Sequence, residues 1–298
     1  MIVTELNTNI QTQFLSKIRI LFELLKFRLS FLVAFSAGFG FALGMSKDST
    51  WIAFFAVCIG GFLISGSAII INQIFEKDID KLMDRTKNRP LPTEKTSVEE
   101  CVKYCIITGI TGLLLLAIFT NLETTLLALM SMLLYGFVYT PLKLVGPIAV
   151  WVGAIPGALP PMLGWMAATG KLDEKALAIF ALQFVWQFPH FWAIAWVMEE
   201  DYKKAGIKLL PSKGGKNFSS AFQIMISAFL LLPLCWLPTY LGITGQLSGY
   251  LTMACGVLFL LPTLQLLKDR NKKTALKIMF ASFLYLPLIQ IIYLIDKL

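Results

Sequence analysis

The feature that most constrains this chain is a series of long apolar runs separated by short polar segments. An α-helix needs about 20 apolar residues to cross a bilayer. The runs of that length cover roughly residues 29–46, 51–75, 101–120, 122–140, 147–169, 175–198, 217–240, 246–267 and 275–295. Only 15% of the 298 residues are charged, against about 25% in soluble domains. The sequence therefore predicts an all-α, polytopic membrane protein, with residues 1–28 as a cytoplasmic lead and interfacial segment and residues 29–298 as one intramembrane domain.

The distribution of basic residues predicts the orientation of these spans. With nine spans and a cytoplasmic N-terminus, every Lys and Arg falls on the cytoplasmic side except Lys47, Lys171, Lys175 and Lys297. Such an asymmetry is typical of membrane proteins, whose cytoplasmic loops are enriched in Lys and Arg. The net charge of +8 thus reflects topology and contact with anionic lipid. We expect no nucleic-acid partner, and we expect the C-terminus to lie outside.

The longest polar segment begins at Asn72, directly behind the second apolar run. Oxygen-bearing side chains recur there at every fourth position: Asn72, Glu76, Asp80 and Asp84. On an α-helix this spacing forms one stripe about three turns long. The like charges repel each other, and a divalent cation would remove that cost. Oxygen ligands without Cys or His suit Mg²⁺, which keeps coordination positions for substrate phosphate. The alternative is an ordinary charged cytoplasmic loop.

Cations follow this acidic stripe. Arg85 and Arg89 are again four residues apart, a spacing from which both guanidinium groups could reach phosphate oxygens. We expect Pro90 to end the helix that carries the stripe. Lys26 and Arg28, at the start of the first span, are either interfacial anchors or anion-binding residues.

The fourth apolar run ends in the sequence YTPLK. Lys143 is the only cation of its short loop and lies four residues after Tyr139. Lys143 either binds an anion or extends its ammonium group to the interface. Pro141 lies between the two residues and predicts that the helix is ending there.

The fifth apolar run contains Gly153, Pro156, Gly157, Pro160 and Pro161. We expect these residues to break the helix. Broken backbone at membrane depth is tolerated only against protein or a cavity, so the sequence predicts a cavity wall here. A simple kink is the alternative.

The sixth apolar run contains His190, the only histidine of the chain, among several aromatic residues that include Trp192. A lone histidine of this kind is often a packing residue, but buried polar groups within membranes tend to be functional. A second acidic cluster, Glu199 to Asp201, follows on the same side of the membrane as the first. Two acidic segments after even-numbered spans indicate facing carboxylates in a duplicated helix arrangement.

Three segments together resemble a known family: NxxExxxDxxxDRTxxRPLP after the second span, YTPLK after the fourth, and WQxPHFWxIAxxxxxDYxxAGIxxLP at the end of the sixth. They resemble the UbiA-type intramembrane prenyltransferases, and PHFW with DYxxAG resembles their haem-farnesylating branch. The resemblance implies a helical bundle around a central cavity that opens to the cytoplasm and laterally to lipid. It also implies two acidic motifs that hold Mg²⁺ against a prenyl diphosphate.

The resemblance implies a role for each matching residue. Asn72, Glu76 and Asp80 carry over as catalytic metal ligands of the first motif. Asp201 carries over as a ligand of the second motif, with Glu200 as an additional candidate. Substrate binding is implied for the following residues: Arg28, Arg85, Arg89, Tyr139, Lys143, His190, Trp192 and Tyr202. The chain departs from the common pattern at Gln73, where many members have Asp, and in the EED cluster, which replaces a spaced DxxxD.

The implied substrates are farnesyl diphosphate and haem b, whose vinyl group would accept the prenyl chain while water adds to it. The implied setting is the plasma membrane of a bacterium, with a haem A synthase as a possible partner. His190 would either ligate the haem iron, hydrogen-bond a haem propionate, or bond a neighbouring helix. Two other functions stay open. One is prenylation of an aromatic quinone precursor, and the other is transport through midplane helix breaks.

Overall fold

The computed structural model describes residues 15–212 and 215–298. Phe14 and the rest of the predicted N-terminal lead before it lie outside the described residues. Within those ranges, nine helices are long and apolar enough to cross a membrane: α1 (Phe27–Gly44), α2 (Trp51–Phe75), α4 (Val98–Phe119), α5 (Leu122–Val145), α6 (Ile148–Thr169), α7 (Glu174–Val197), α9 (Phe218–Tyr240), α10 (Gln246–Asp269) and α11 (Lys272–Ile295). Two short helices, α3 (Lys77–Asp80) and α8 (Glu199–Lys204), follow α2 and α7. Residues 15–24 form a further helix before α1.

The observed spans confirm the predicted all-α bundle. Large apolar side chains such as Ile59, Ile118 and Leu284 are exposed on its outer surface. Because a bilayer is as apolar as these side chains, such a surface is expected of helices that face lipid. Polar side chains are instead buried between the helices, as Ser36, Gln183 and Gln290 show.

The first span, α1, packs directly against α6, which is the proline-rich fifth span. A Cβ atom added at Gly40 of α1 would lie 1.8 Å from the carbonyl oxygen of Pro161 in α6. A Cβ atom added at Gly164 would lie 1.9 Å from the carbonyl oxygen of Ala37. Only glycine permits this backbone-to-backbone approach, which is common where membrane helices pack closely.

Helix α6 continues through all three of its prolines, so the predicted helix break is wrong. A proline removes the hydrogen bond to the carbonyl four residues earlier. Pro160 and Pro161 therefore leave the carbonyl oxygens of Pro156 and Gly157 without a bond within the helix. Side chains from other helices bind both of them. Ser131 Oγ donates to the Pro156 oxygen at 3.3 Å, and Gln183 Nε2 donates to the Gly157 oxygen at 2.8 Å. The helix persists because its neighbours replace the lost bonds.

Helix α5 also continues past its proline, contrary to the prediction that it ends near Pro141. A π-helical turn, Leu134–Tyr139, precedes this residue, and the α-helix resumes over Thr140–Val145. Thr140 Oγ1 donates to the Tyr135 carbonyl at 2.9 Å. A widened turn of this kind re-pairs backbone groups that a proline frees inside a membrane helix.

Contacts between distant segments define the two ends of the bundle. At one end, the last turn of α5 meets the end of α2 through Lys143 and Glu76. At the other end, Lys297 Nζ donates to the carbonyl oxygens of Ala42 and Met45, at 2.9 and 2.6 Å. The first and last spanning helices are thereby joined, because a cation at a helix C-terminus binds carbonyl groups that lack partners within the helix.

Candidate active site

The first three residues of the acidic stripe, Asn72, Glu76 and Asp80, lie on one helical face. Helix α2 ends at Phe75, and Glu76 has φ −90° and ψ 4°. The helical hydrogen bonds nevertheless continue across this junction, from Glu76 N–H to the Asn72 oxygen at 3.0 Å and from Asp80 N–H to the Glu76 oxygen at 2.7 Å. The three side chains therefore project from one face, as the spacing predicts.

The helix ends at Asp80, so the predictions that Asp84 extends the stripe and that Pro90 ends the helix are wrong. In a continued helix, Asp84 N–H would donate to the Asp80 oxygen. That oxygen instead accepts the Thr86 hydroxyl at 2.9 Å, and Asp84 N–H donates to Asp201 Oδ1 at 2.8 Å. These two alternative bonds turn the chain away from the helix axis.

Both stripe carboxylates are buried in ion pairs. Lys143 Nζ donates to Glu76 Oε1 at 2.7 Å, and Arg89 Nη1 donates to Asp80 Oδ2 at 2.5 Å. Glu76 is 6% exposed and Asp80 is fully buried. The charges of the stripe are thus neutralised by cations of the same chain, which removes the repulsion expected from the sequence.

Three oxygen atoms of the stripe remain without a hydrogen bond among the described residues. Asp80 Oδ1 is buried and unpaired. Asn72 Nδ2 donates to Thr140 Oγ1 at 3.2 Å, which leaves its Oδ1 free, and Glu76 Oε2 has no partner either. An unpaired buried carboxylate oxygen is costly, and a divalent cation would satisfy it. The donor set of one amide and two carboxylates fits Mg²⁺.

The second acidic cluster reaches the first polar segment through Asp201. Its Oδ1 accepts Asp84 N–H at 2.8 Å, and its Oδ2 accepts Arg85 N–H at 3.3 Å. Lys204 forms ion pairs with both Asp84 and Asp201. Hydrogen bonds from Lys204 and Lys87 lower the pKa of Asp84 to about 2. The two acidic segments therefore face each other.

Glu200 does not join this arrangement. Its side chain is exposed and has no hydrogen bond or ion pair within the described ranges. Glu199, one residue earlier, pairs with Lys203 and Lys216 instead. In the short helix α8, successive residues point about 100° apart, so only Asp201 is directed towards the first segment. In the part of the chain that the structure describes, no three His, Cys, Asp or Glu side chains lie close enough together to bind one metal ion.

Lys26, rather than Arg28, lies with the cations of the site. Burial and the positive charges of Arg89, Lys143 and Arg85 lower the pKa of Lys26 to about 7. Arg28 is exposed, two residues further along the chain.

The turn into α1 explains this difference. Lys26 has a left-handed φ of 44°. Gln73 Nε2 holds that turn by donating to the Leu24 oxygen at 2.7 Å. Arg28 lies inside the first turn of α1 and is exposed, so it does not join these cations. The structure thus gives Gln73, the departure from the family pattern, a role in placing Lys26.

A cavity of about 290 Å³ lies between the spanning helices. Its wall includes Tyr139, whose ring lies 4.7 Å beneath Lys143 Nζ, and it extends to His190 in α7. Pro156 and Gly157 of α6 also line it, which confirms the predicted cavity wall. Leu32 in the same wall is 49% exposed on the outer surface. The cavity therefore opens sideways towards lipid.

The structure places the aromatic candidates of α7 and α8 in different surroundings. His190 lines the cavity and stacks on Trp186 with ring centroids 4.4 Å apart. Its Nδ1 lies 2.8 Å from Ser282 Oγ. Trp192 does not line the cavity, because it lies on the opposite face of α7, packed against Phe188 in the core. Tyr202 is half-buried against the same core.

A family profile decides what kind of bundle this is. The profile of the UbiA prenyltransferase family matches residues 32–286. The chain belongs to this family. Among curated relatives, a protoheme IX farnesyltransferase of Cytophaga hutchinsonii is 49% identical over 282 residues, covering 95% of this chain and 99% of the relative. Membership of this family agrees with the three motifs found after the second, fourth and sixth spans.

Solved structures share the fold of this UbiA-family chain. A digeranylgeranylglyceryl phosphate synthase has a TM-score of 0.78 at 23% identity, covering 94% of this chain and 98% of that one. A UbiA homologue of Archaeoglobus fulgidus bound to GPP and Mg²⁺ has a TM-score of 0.66 at 20% identity, covering 92% and 99%. At these identities the likeness establishes the architecture of the bundle.

Two residues to which the sequence gave no role lie at the cavity of this UbiA-family member: Gln187, which lines it, and Ser282, whose Oγ lies 2.8 Å from His190 Nδ1. Gln187 lies inside an apolar run, and buried polar residues at membrane depth are a signal of function. Ser282 carries no such signal, because a hydroxyl readily bonds the backbone of its own helix.

Proposed function

We propose that this protein transfers the farnesyl group of farnesyl diphosphate to a vinyl group of haem b, with addition of water to give haem O. The observation that carries the proposal is an apolar cavity that reaches from His190 in the core to Tyr139, whose ring lies under Lys143. Lys143 belongs to the ion-paired cluster with Glu76, Asp80 and Arg89, which is called the charged mouth below. A charged head group and a long apolar tail would each find a matching environment. The Cytophaga hutchinsonii relative named protoheme IX farnesyltransferase, at 49% identity, supports this choice of substrates.

The cations at the mouth would bind the diphosphate. Arg89 and Lys143 are held in place by Asp80 and Glu76, and Lys26 and Arg85 add positive charge beside them. Fixed cations stabilise the negative charge that develops as the diphosphate leaves, without a reorganisation at the moment of reaction. Arg89 can bind two phosphate oxygens at once, because its guanidinium group is a planar fork.

Mg²⁺ would be held by Asn72, Glu76 and Asp80, with Asp201 as the ligand from the second acidic segment. The buried unpaired Asp80 Oδ1 supports this assignment. When bound, the ion would supply Lewis-acid stabilisation of the leaving diphosphate. The A. fulgidus homologue of the same fold is described with Mg²⁺ and GPP.

The cavity would protect the allylic cation that remains when the diphosphate departs. Its wall is mostly apolar, and Tyr135, Trp186 and Phe283 contribute aromatic rings. Aromatic faces stabilise cations, and an apolar wall keeps bulk water away from them. We infer that the porphyrin enters through the lateral opening near Leu32 and contacts His190.

The decisive experiment uses purified protein in detergent with haem b and farnesyl diphosphate. We expect a pigment heavier than haem b by one farnesyl group and one water. Excess chelator should abolish its formation, and added Mg²⁺ should restore it. Full activity in chelator would refute the metal assignment.

Parallel reactions test the two other functions. Product formation in detergent, where no gradient exists, argues against a transporter. If only an aromatic quinone precursor accepts the prenyl group, the haem assignment is wrong.

We infer from the distribution of Lys and Arg that the charged mouth faces the cytoplasm of a bacterial plasma membrane. The N-terminus would then be cytoplasmic, and the C-terminus would lie outside. The lateral opening supports release of an apolar product into lipid. The resemblance to the haem-farnesylating branch implies a haem A synthase as its recipient there.

A further inference from the structure

The hydrogen bonds around His190 fix its tautomer. Ser282 Oγ donates to the Met279 carbonyl at 2.6 Å. Because its one proton is used there, Ser282 Oγ accepts the second bond, which joins it to His190 Nδ1 at 2.8 Å. His190 Nδ1 therefore carries the proton, and Nε2 carries a free lone pair. Stacking on Trp186 and an edge contact with Phe283 hold the ring in this orientation.

Gln187, one helical turn before His190, presents a second free acceptor. Its Nε2 donates to the Ala154 carbonyl at 3.0 Å. Its Oε1 has no partner among the described residues and is not sealed from the cavity. Gly157 makes room for this oxygen, because a Cβ atom there would lie 2.3 Å from it. Gln187 is only 2% exposed overall, yet it lines the cavity.

We propose that Gln187 Oε1 and His190 Nε2 together hold the water that adds to the prenylated substrate, and that His190 Nε2 takes its proton. The inference rests on the proposed function. Residues three apart on a helix have Cβ atoms about 5–6 Å from each other, so the two side chains are neighbours on one face of α7, and both line the cavity. A water that donates both of its hydrogens to these acceptors directs its lone pairs into the cavity. Ser282 is the positioning residue, because it keeps the proton on Nδ1.

The step balances in atoms and electrons. The C–O bond of farnesyl diphosphate breaks, and its electron pair leaves with the diphosphate. The vinyl π pair forms the new C–C bond, which places the positive charge on the vinyl carbon next to the porphyrin ring. A lone pair of the held water forms the C–O bond to that carbon. The proton released from this water converts the neutral imidazole of His190 to imidazolium, and no oxidant or reductant is needed.

The first test counts water in the product, which is independent of the overall rate. Wild-type protein with haem b, farnesyl diphosphate and isotopically labelled water should give a product that carries the label. His190→Gln, Gln187→Leu and Gly157→Ala should each lower the ratio of hydrated to dehydrated product at least tenfold. Ser131→Ala is the matched control, since it removes a hydroxyl from the same cavity wall and should keep the wild-type ratio. Variants that turn over with the wild-type ratio would overturn the proposal.

The second test reads the tautomer without any turnover. Because the chain contains one histidine, nitrogen NMR of protein labelled at histidine gives one pair of ring resonances. We expect the Nδ1–H form in the substrate-free protein, a mixed population in Ser282→Ala, and recovery in Ser282→Thr. The product ratio should fall and recover in the same two variants.

A protonated Nε2 in the wild-type spectrum would refute the proposal even if every variant were inactive. If wild-type protein makes no haem product at all, the proposed function fails, while the NMR result still stands or falls by itself.

Discussion

Replacing Asp80 by asparagine separates the structural role of the stripe from its role in binding a metal. Asp80 is fully buried, and the side chain of its partner Arg89 is 14% exposed. Removing one partner of a buried ion pair costs about 3–5 kcal/mol. The asparagine oxygen still accepts a hydrogen bond from the guanidinium group, and such bonds contribute about 1.5–3 kcal/mol. We therefore expect Asp80→Asn to lower the free energy of unfolding by about 2 kcal/mol.

The assay is thermal unfolding of purified protein in detergent and chelator. At about 2–4 °C per kcal/mol, the expected fall in Tm is roughly 4–8 °C. Asp84→Asn is the matched control, because Asp84 pairs with Lys204 and Lys87 on the exposed surface, where ion pairs contribute little. Its Tm should not change measurably. The double variant Asp80→Asn, Arg89→Gln should recover part of the loss, since it leaves no buried charge unpaired.

The refuting result is an unchanged or higher Tm for Asp80→Asn. Such a result would mean that repulsion along the stripe outweighs the pair with Arg89. Adding Mg²⁺ and inorganic diphosphate then tests the second role of Asp80. Wild-type Tm should rise as ligand binds the folded state, and the rise should be smaller or absent in Asp80→Asn.

Three further predictions follow from the same structure. Reporter fusions after Lys95 and Lys171 should read cytoplasmic and external, and an external signal at Lys95 would contradict the proposed orientation. Gly40→Ala should lower the Tm, because its new Cβ meets a backbone carbonyl at 1.8 Å, whereas Gly61→Ala should not, because the nearest atom is 3.7 Å away. Diphosphate binding should be accompanied by proton uptake near pH 7, because the bound anion raises the pKa of Lys26 from its lowered value of about 7. The affinity for diphosphate should therefore fall as the pH rises. Calorimetry in two buffers of different ionisation enthalpy measures this uptake, and equal heats would refute it.

Hydropathy was enough to predict the nine spans, because each span must form its backbone hydrogen bonds within its own helix. Each span also needs a similar apolar length to cross the bilayer. The spacing of Asn72, Glu76 and Asp80 was enough to predict one shared face. Sequence could not predict that the helix turns away after Asp80, since that turn depends on Asp201, more than a hundred residues later.

The proline residues of α6 illustrate the same limit. Local propensity predicts a break, and it is correct that each proline removes a backbone hydrogen bond. The replacement donors, Ser131 and Gln183, come from other helices. Which carbonyl meets which side chain depends on the packing of the bundle, which short-range patterns do not encode. The same is true of Ser282 and the tautomer of His190.

The joining of α1 to the C-terminal residues has a consequence for the order in which the protein is made. Gln290 Nε2 donates to Ser36 Oγ at 2.9 Å across the wall of the cavity, and Lys297 binds the end of α1. These partners are about 250 positions apart in the chain. Until α11 has been synthesised, α1 lies in the membrane without this neighbour, and the cavity lacks the wall to which Gln290 contributes. An unfinished chain therefore lacks one wall of the cavity in which the proposed allylic cation would form.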